Sequence, residues 1–270
     1  MSVKPILFNT DEVRAILAVR KTATRRVVKY AEPDWLFLEL EENPCSVAIR
    51  ANGEEYPKEL SGLYAVFEGG DTSPWAFPMV RAPYRPGDIL YVRETWNFGY
   101  FDSSDAELDN SQWFEPLPLD YDRDSYIGSL AGFVYRADFT RAEEYEYGTM
   151  DESDKLKPMP WYPSIHMPRE AARIWLRVTD VRVERVQEIS DADVEREGVH
   201  GDPYTFADPE FYDRPELRDN YGKAQFAGLW DGTIKPTDRD RYGWAANPFC
   251  WVISFERISK DKALGGGMDD

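Results

Sequence analysis

Residues 17–26 read Leu-Ala-Val-Arg-Lys-Thr-Ala-Thr-Arg-Arg, and the rest of the chain is organised around them. The seven residues from Arg20 to Arg26, the basic turn, include three arginines, one lysine and two threonines, although the chain carries a net charge of −18. A cationic, hydroxyl-rich turn in so acidic a protein indicates a site for an anionic or polar ligand. The alternative is a solvated basic cluster that complements the negative, C-terminal end of a helix dipole.

A helix is predicted directly before the basic turn, from Thr10 to about Val19. Asn9 or Thr10 can cap its first turn, and the acidic residues that follow favour the positive end of the helix dipole. Three apolar residues recur at helical spacing and predict a buried stripe, namely Val13, Ile16 and Leu17. Lys21 therefore falls just past the helix, where the chain turns.

The composition is that of a folded globule, with 42% hydrophobic and 14% aromatic residues. It offers no apolar window of about 18 residues, the length of a membrane span, and its first residues lack the apolar core of a signal sequence. We therefore expect a cytoplasmic protein with no membrane partner. Two cysteines without a C-x-x-C pair argue against a disulfide framework or structural zinc, and with only two histidines we expect no metal and no other cofactor.

The strong negative charge argues against a general nucleic-acid-binding surface, because counterion release needs a basic face. A small basic pocket inside an acidic shell can still select a single nucleotide or nucleoside. The acidic residues crowd into positions 101–157, which predicts a solvated insertion there.

Strands outnumber helices in the pattern of the remaining chain. Apolar alternation and turn signals predict strands near residues 4–8, 37–40, 46–49, 64–67, 89–93, 132–137, 174–186 and 249–258, with a turn at Asn52-Gly53. The long strand changes phase near Thr179, which indicates a bulge or bend. Two more helices are expected: one at 221–230, and one that begins at Ser190, has Asp193 at the capping-box position and stops at Gly198.

Glu94 ends the strand at 89–93 and falls on the apolar face formed by Leu90 and Val92. A carboxylate on an apolar face needs a partner or a chemical role, so Glu94 is a candidate site residue. The alternative is a strand-end glutamate that reaches solvent or pairs with a nearby arginine.

The loop at 161–170 is a second candidate, because it presents Ser164 and His166 among aromatic side chains that could stack a base. Two prolines stiffen it. The alternative is a proline-locked loop that packs Trp161 and Met167 into the core.

The order of these elements resembles the ASCH domain family, which belongs to the PUA-like barrels. The family signature is similar to Gly-x-Lys-x-x-Thr-x-Arg, and Lys21, Thr24 and Arg26 keep that spacing, with Val19 at the family's glycine position. Segments 92–96 and 164–168 resemble phage and prophage ASCH proteins in particular. The resemblance implies an α+β fold, a PUA-like mixed β-barrel with flanking short helices. It implies one domain over 1–260 with insertions at about 30–80 and 100–157, and a disordered tail over 261–270.

The resemblance also implies an activity. Small bacterial ASCH enzymes hydrolyse N4-acetylcytidine, an amide on a nucleobase, with a lysine, a threonine and a glutamate that correspond to Lys21, Thr24 and Glu197. A threonine hydroxyl becomes a nucleophile when a base such as lysine takes its proton, and water then releases the acid from the acyl-threonine. The residues expected to contact the substrate are Arg25, Arg26, Glu94, Trp96, Ser164 and His166.

Two other functions fit the same residues. In the first, the protein binds RNA or a modified base without amidohydrolase turnover, or cuts RNA, with Trp96, Trp161 and Trp251 stacking bases. In the second, an acidic phage protein occupies the nucleic-acid-binding site of a host protein, and its charged insertion is the contact surface. The expected partners are thus a modified nucleoside or RNA, or a host protein.

Overall fold

The computed structural model of this chain describes residues 2–49, 55–69, 77–102, 113–117, 132–146, 149–150, 156–199 and 221–265. They form a mixed α+β fold with many strands and few helices, as expected from the sequence, but the described strands do not close the expected barrel. The chain divides into two compact units, each built from separate segments. The first contains residues 1–2, 19–89 and 176–257, and the second contains 3–18, 90–175 and 258–270. Within the described ranges, no helix has the length and apolar character that a membrane span requires.

The strands are short except for the last two. They are β1 (Val3–Leu7), β2 (Ala23–Val27), β3 (Leu36–Glu42), β4 (Cys45–Ile49), β5 (Glu55–Glu59), β6 (Leu63–Glu68), β7 (Met79–Arg81), β8 (Ile89–Arg93), β9 (Trp96–Asp102), β10 (Trp113–Pro116), β11 (Gly132–Tyr135), β12 (Thr149–Met150), β13 (Leu156–Lys157), β14 (Trp175–Arg185) and β15 (Phe249–Ile258).

The α-helices in the described ranges are mostly one or two turns long. They are α1 (Thr10–Leu17), α2 (Arg141–Glu146), α3 (Asp191–Arg196), α4 (Tyr221–Thr233), α5 (Arg239–Tyr242) and α6 (Lys260–Ala263).

Three strands of the first unit form a sheet in the order β14-β15-β2, and in the second unit β1 lies next to β8. In the first unit, β15 pairs antiparallel with β2, from Ser254 opposite Ala23 to Cys250 opposite Val27. Directly opposed residues share a face of the sheet, and successive residues alternate between faces. One face of this pair therefore carries Arg25, while Thr24 and Arg26 lie on the other.

The face that carries Arg25 is covered by α3 and α4. Its core joins apolar residues of the sheet to those of the two helices: Val186, Ile189, Val194, Val199, Phe226, Trp230, Cys250 and Val252. This packing fixes α3 against the strand that continues the basic turn.

Arg185 ends β14 and joins several segments of the first unit. Its guanidinium lies 3.7 Å from the centre of the Phe249 ring and donates hydrogen bonds to the carbonyls of Pro33, Trp35 and Asn247. Smaller sheets, β3-β6-β7 and β4-β5, complete this unit.

In the second unit, β9 pairs with both β10 and β11, and β12 pairs with β13. Asn9 caps α1 in a reciprocal capping box with Glu12, at 2.9 and 3.0 Å. Arg14 holds the helix to the carbonyls of Ala137 and Phe139, at 3.0 and 2.5 Å.

Several predicted elements differ from the observed ones in their bounds. Helix α1 ends at Leu17, not near Val19, because Val19 takes a left-handed conformation with φ of 57°. The segment from residue 261, expected to be a disordered tail, includes most of α6, which covers 260–263 and is capped by Ser259, at 3.2 Å from the Lys262 amide. The turn at Asn52-Gly53 and residues 266–270 lie outside the described residues.

Candidate functional site

The chain leaves α1 by a turn that directs Lys21 toward α3. Val19 is 74% exposed and occupies the left-handed region, which ends the helix. Beyond it, the Thr22 amide donates to the Arg196 carbonyl at 2.8 Å, and the Phe255 amide donates to the Thr22 carbonyl at 2.9 Å. The basic turn is therefore tied on one side to the end of α3 and on the other to β15.

Lys21 and Glu197 form a buried ion pair, with 4% and 8% of their surfaces exposed. The Lys21 ammonium donates to Glu197 Oε2 at 2.7 Å and to the Glu197 carbonyl at 3.0 Å. The same two residues form an isolated antiparallel β-bridge. Thus the structure places together two candidate site residues that are 176 positions apart in the sequence.

Arg25 is almost completely buried, with only 1% of its side chain exposed. Its Nη1 lies 3.3 Å from Glu197 Oε1, and its Nη2 lies 3.0 Å from Glu184 Oε2 and 3.2 Å from Asp193 Oδ2. Its Nε is buried without a hydrogen-bond partner in the described structure. Burial disfavours the charged guanidinium, but the carboxylates of Glu197 and Glu184 outweigh it and raise the pKa of Arg25.

Two further arginines extend this ion-pair cluster, which consists of Lys21, Arg25, Arg182, Glu184, Asp193, Arg196 and Glu197. Arg182 binds Glu184 through Nε and Asp193 Oδ2 through Nη2 at 2.8 Å. Arg196 binds Asp193 Oδ1 at 3.2 Å. Burial alone would raise the pKa of Asp193, but Arg25 and Arg182 lower it below its ordinary value.

At the start of α3, the Asp193 side chain could bind either the helix cap or the arginines of the ion-pair cluster. Ser190 accepts the Asp193 amide at 3.2 Å, as predicted for an N-cap, and Gly198 follows the helix with φ of 83°. The Asp193 carboxylate, however, binds the three arginines of the cluster instead of returning to the cap. Charge-assisted bonds to arginine are stronger than a neutral amide contact, which explains the choice.

Thr24 lies on the opposite face of β2 from Arg25. It is 1% exposed and pairs with Ile253, which is fully buried. Arg26 shares that face and pairs with Trp251, which is 2% exposed. Thr24 is thus buried opposite an apolar residue and faces away from the Arg25 side of the ion-pair cluster.

Glu94 belongs to a separate group in the second unit. Arg173 binds its carboxylate with two hydrogen bonds of 3.0 Å, through Nε and Nη2, and binds Asp138 at 2.7 Å. The Arg173 guanidinium also lies 4.0 Å from the centre of the Tyr135 ring. Burial raises the pKa of Glu94, although Arg173 opposes this. Glu94 is therefore the arginine-paired carboxylate of the alternative interpretation.

The loop that carries Ser164 and His166 lies close to Glu94 through Met167. The Glu94 amide contacts Met167 Sδ at 3.1 Å, and Arg93 donates to the carbonyls of Ile165 and Met167. His166 is exposed and Met167 is 1% exposed, so the loop packs its methionine inward as the alternative predicted, while its histidine faces out.

The tryptophans expected to stack bases are mostly buried. Trp96 is 1% exposed and packs against Phe133 and Tyr162, with ring centres 5.8 and 5.4 Å apart. Trp251 is 2% exposed. Burial therefore leaves neither ring open for stacking on a base; Trp161 is partly buried beside Phe139.

Sequence reasoning missed four members of the ion-pair cluster: Arg182, Glu184, Asp193 as an arginine ligand, and Arg196. The signal that could have found them was charge at alternate positions of the long strand, since Arg182 and Glu184 flank a buried valine of β14. Charges in such a segment need partners.

Over the described residues, no group of three histidine, cysteine, aspartate or glutamate side chains is placed to hold a metal ion. Comparison with protein-family models, with curated proteins and with solved structures found no match to this chain.

Proposed function

We propose that this protein is a PUA-like ASCH protein that hydrolyses the amide of an N4-acylated cytidine at a site centred on Lys21 and Glu197. The observation that carries the proposal is their buried ion pair at 2.7 Å. Breaking a buried ion pair costs stability, so the side chains of Lys21 and Glu197 are held in fixed positions relative to each other. Catalysis needs such fixed positions. Val19 adds support, because it takes a left-handed backbone, which a glycine at this position of the signature would adopt without strain.

The chemistry needs three contributions from the protein. A nucleophile attacks the acyl carbon, a donor stabilises the oxyanion that forms, and the proton that the nucleophile loses is passed to the cytosine amino nitrogen when the carbon–nitrogen bond breaks. In this proposal the Lys21 ammonium supplies the charge for the oxyanion and Glu197 orients it. Water is consumed overall, and the products are cytidine and a carboxylic acid.

Two groups are candidates for the nucleophile. In the family-type mechanism it is the Thr24 hydroxyl, but Thr24 faces away from Arg25 and from the Glu197 carboxylate that Arg25 binds. A water molecule activated by Glu197 is the other nucleophile that completes the same reaction, with the acid released in one step instead of through an acyl-threonine.

The test incubates the full chain with N4-acetylcytidine and measures the release of cytidine and acetate by chromatography. Thr24→Val removes the hydroxyl and keeps the shape, and Thr22→Val is the matched control in the same turn. Loss of turnover in Thr24→Val alone identifies Thr24 as the nucleophile. Turnover that survives in Thr24→Val excludes an acyl-threonine and leaves attack by water, and its loss in Glu197→Gln then shows that the carboxylate is required.

A second candidate function is binding of a modified nucleoside without turnover. The specific observation in its favour is that Thr24 lies opposite Ile253, on the other face of β2 from Arg25. The outcome that supports it is calorimetric binding of N4-acetylcytidine by folded wild type that releases no acetate. Folded wild type that neither binds nor cleaves the nucleoside contradicts both candidates.

A further inference from the structure

We infer that Arg25 is a positioning residue of this site and does not contact the substrate. It holds one oxygen of the Glu197 carboxylate, so that the other oxygen of Glu197 is directed at the Lys21 ammonium. The inference rests on the proposed function for its catalytic consequence. The positioning itself follows from the geometry and has its own measurement below.

The two oxygens of Glu197 are divided between two cations. Oε2 accepts from the Lys21 ammonium at 2.7 Å, and Oε1 accepts from Arg25 Nη1 at 3.3 Å. A carboxylate bonded on both oxygens cannot rotate about its last side-chain bond without losing one partner. Arg25 therefore determines the orientation in which Glu197 meets Lys21.

Arg25 is itself fixed from its other end. Its Nη2 is shared by Glu184 at 3.0 Å and Asp193 at 3.2 Å, and its guanidinium carbon lies 5.9 Å from the centre of the Phe226 ring. These contacts connect β14, α3 and α4 to a single planar group. Both Nη atoms of Arg25 are thus bound by carboxylates of the protein itself, which assigns Arg25 to positioning and not to substrate contact.

A lysine cannot reproduce this arrangement. The guanidinium fork donates in two directions at once, whereas an ammonium is a compact charge that reaches one of the two carboxylate groups. Arg25→Lys therefore keeps the net charge of the cluster while it releases either Glu197 or the Glu184–Asp193 side. The matched control is Arg185→Lys, because Arg185 also holds several partners in the same unit but lies outside the ion-pair cluster.

The positioning is measured by NMR of the lysine ammonium groups in 15N-labelled full-length protein. The Lys21 signal is assigned by its loss in Lys21→Arg. We expect this signal to shift or broaden in Arg25→Lys and to stay unchanged in Arg185→Lys. A general loss of stability would not produce this difference between the two variants. An unchanged Lys21 signal in folded Arg25→Lys overturns the inference.

The kinetic arm uses wild type, Arg25→Lys and Arg185→Lys with N4-acetylcytidine. We expect Arg25→Lys to lower kcat about tenfold or more with KM changed by less than about threefold, since a positioning residue acts on the transition state and not on substrate binding. A raised KM with unchanged kcat shows a substrate contact and also overturns the inference. If wild type shows no turnover, the proposed function fails, and the NMR comparison alone decides the role of Arg25.

Discussion

Val19→Gly is expected to stabilise the protein, although it removes a side chain. Val19 has φ of 57°, and the left-handed region costs an L-residue about 1–2 kcal/mol, with a β-branched residue near the upper end. A glycine at this position avoids that cost, but its greater freedom in the unfolded chain lowers the free energy of unfolding by about 0.5–1 kcal/mol. Because Val19 is 74% exposed, removing the small buried part of its side chain costs only about 0.4 kcal/mol more. The net gain is about 0.5 kcal/mol.

The same substitution in a strand is expected to have the opposite sign. Val3 in β1 is 37% exposed and lies in extended backbone, so Val3→Gly should cost about 1.5–2 kcal/mol, about 1 from lost burial and the rest from chain entropy. The assay is urea unfolding followed by tryptophan fluorescence, with the midpoints compared at an unchanged slope. A Val19→Gly protein that is destabilised as much as Val3→Gly would refute the assignment of strain to the backbone of Val19.

Three more predictions concern the ion-pair cluster and the helix before it. Lys21→Met and Glu197→Gln should each cost about 3 kcal/mol in unfolding free energy because each removes one partner of a buried ion pair, whereas the double variant should cost less than the sum. Asn9→Ala should cost about 1 kcal/mol in the same assay, because it removes the cap of α1. The pKa of Asp193 is lowered in the folded state, so its contribution is present above its unfolded pKa of 3.8 and is lost as the pH falls through the folded value. Asp193→Asn should therefore be less stable than wild type at pH 6, and the difference should shrink in acid.

Each of these has an outcome that would count against it. Additive costs in the double variant would mean that Lys21 and Glu197 are not coupled. An Asn9→Ala protein as stable as wild type would show that the capping box adds nothing to α1. A stability difference for Asp193→Asn that is the same at pH 3 and pH 6 would show that its charge is not what the arginines bind.

Local patterns in the sequence were enough to predict the elements that carry the site. The cap at Asn9 and the stop at Gly198 depend on contacts within a few residues, and the strand at 249–258 is marked by a local run of apolar residues; each is observed. The pairing of Lys21 with Glu197 came from the resemblance, not from the pattern, because nothing local brings together residues so far apart.

What the sequence could not provide is which side of a strand faces which neighbour. Alternation places Thr24 and Arg25 on opposite faces, but both faces of β2 are buried, so hydrophobicity does not distinguish them. The partner of Glu94 was equally hidden, because Arg173 is 79 residues away and lies in a segment with no charge pattern of its own. Long-range ion pairs of this kind are decided by packing, which a single sequence does not display.

The two cysteines give this chain a reporter that needs no engineering. Cys250 is fully buried in β15 beneath α3 and α4, and burial raises the pKa of its thiol, whereas Cys45 is exposed in β4. A thiol reagent in the native state will therefore label Cys45 first and reach Cys250 only when the sheet under the ion-pair cluster opens. The ratio of the two labelling rates measures how often that opening occurs, and a nucleoside that binds over Lys21 and Glu197 should slow only the second.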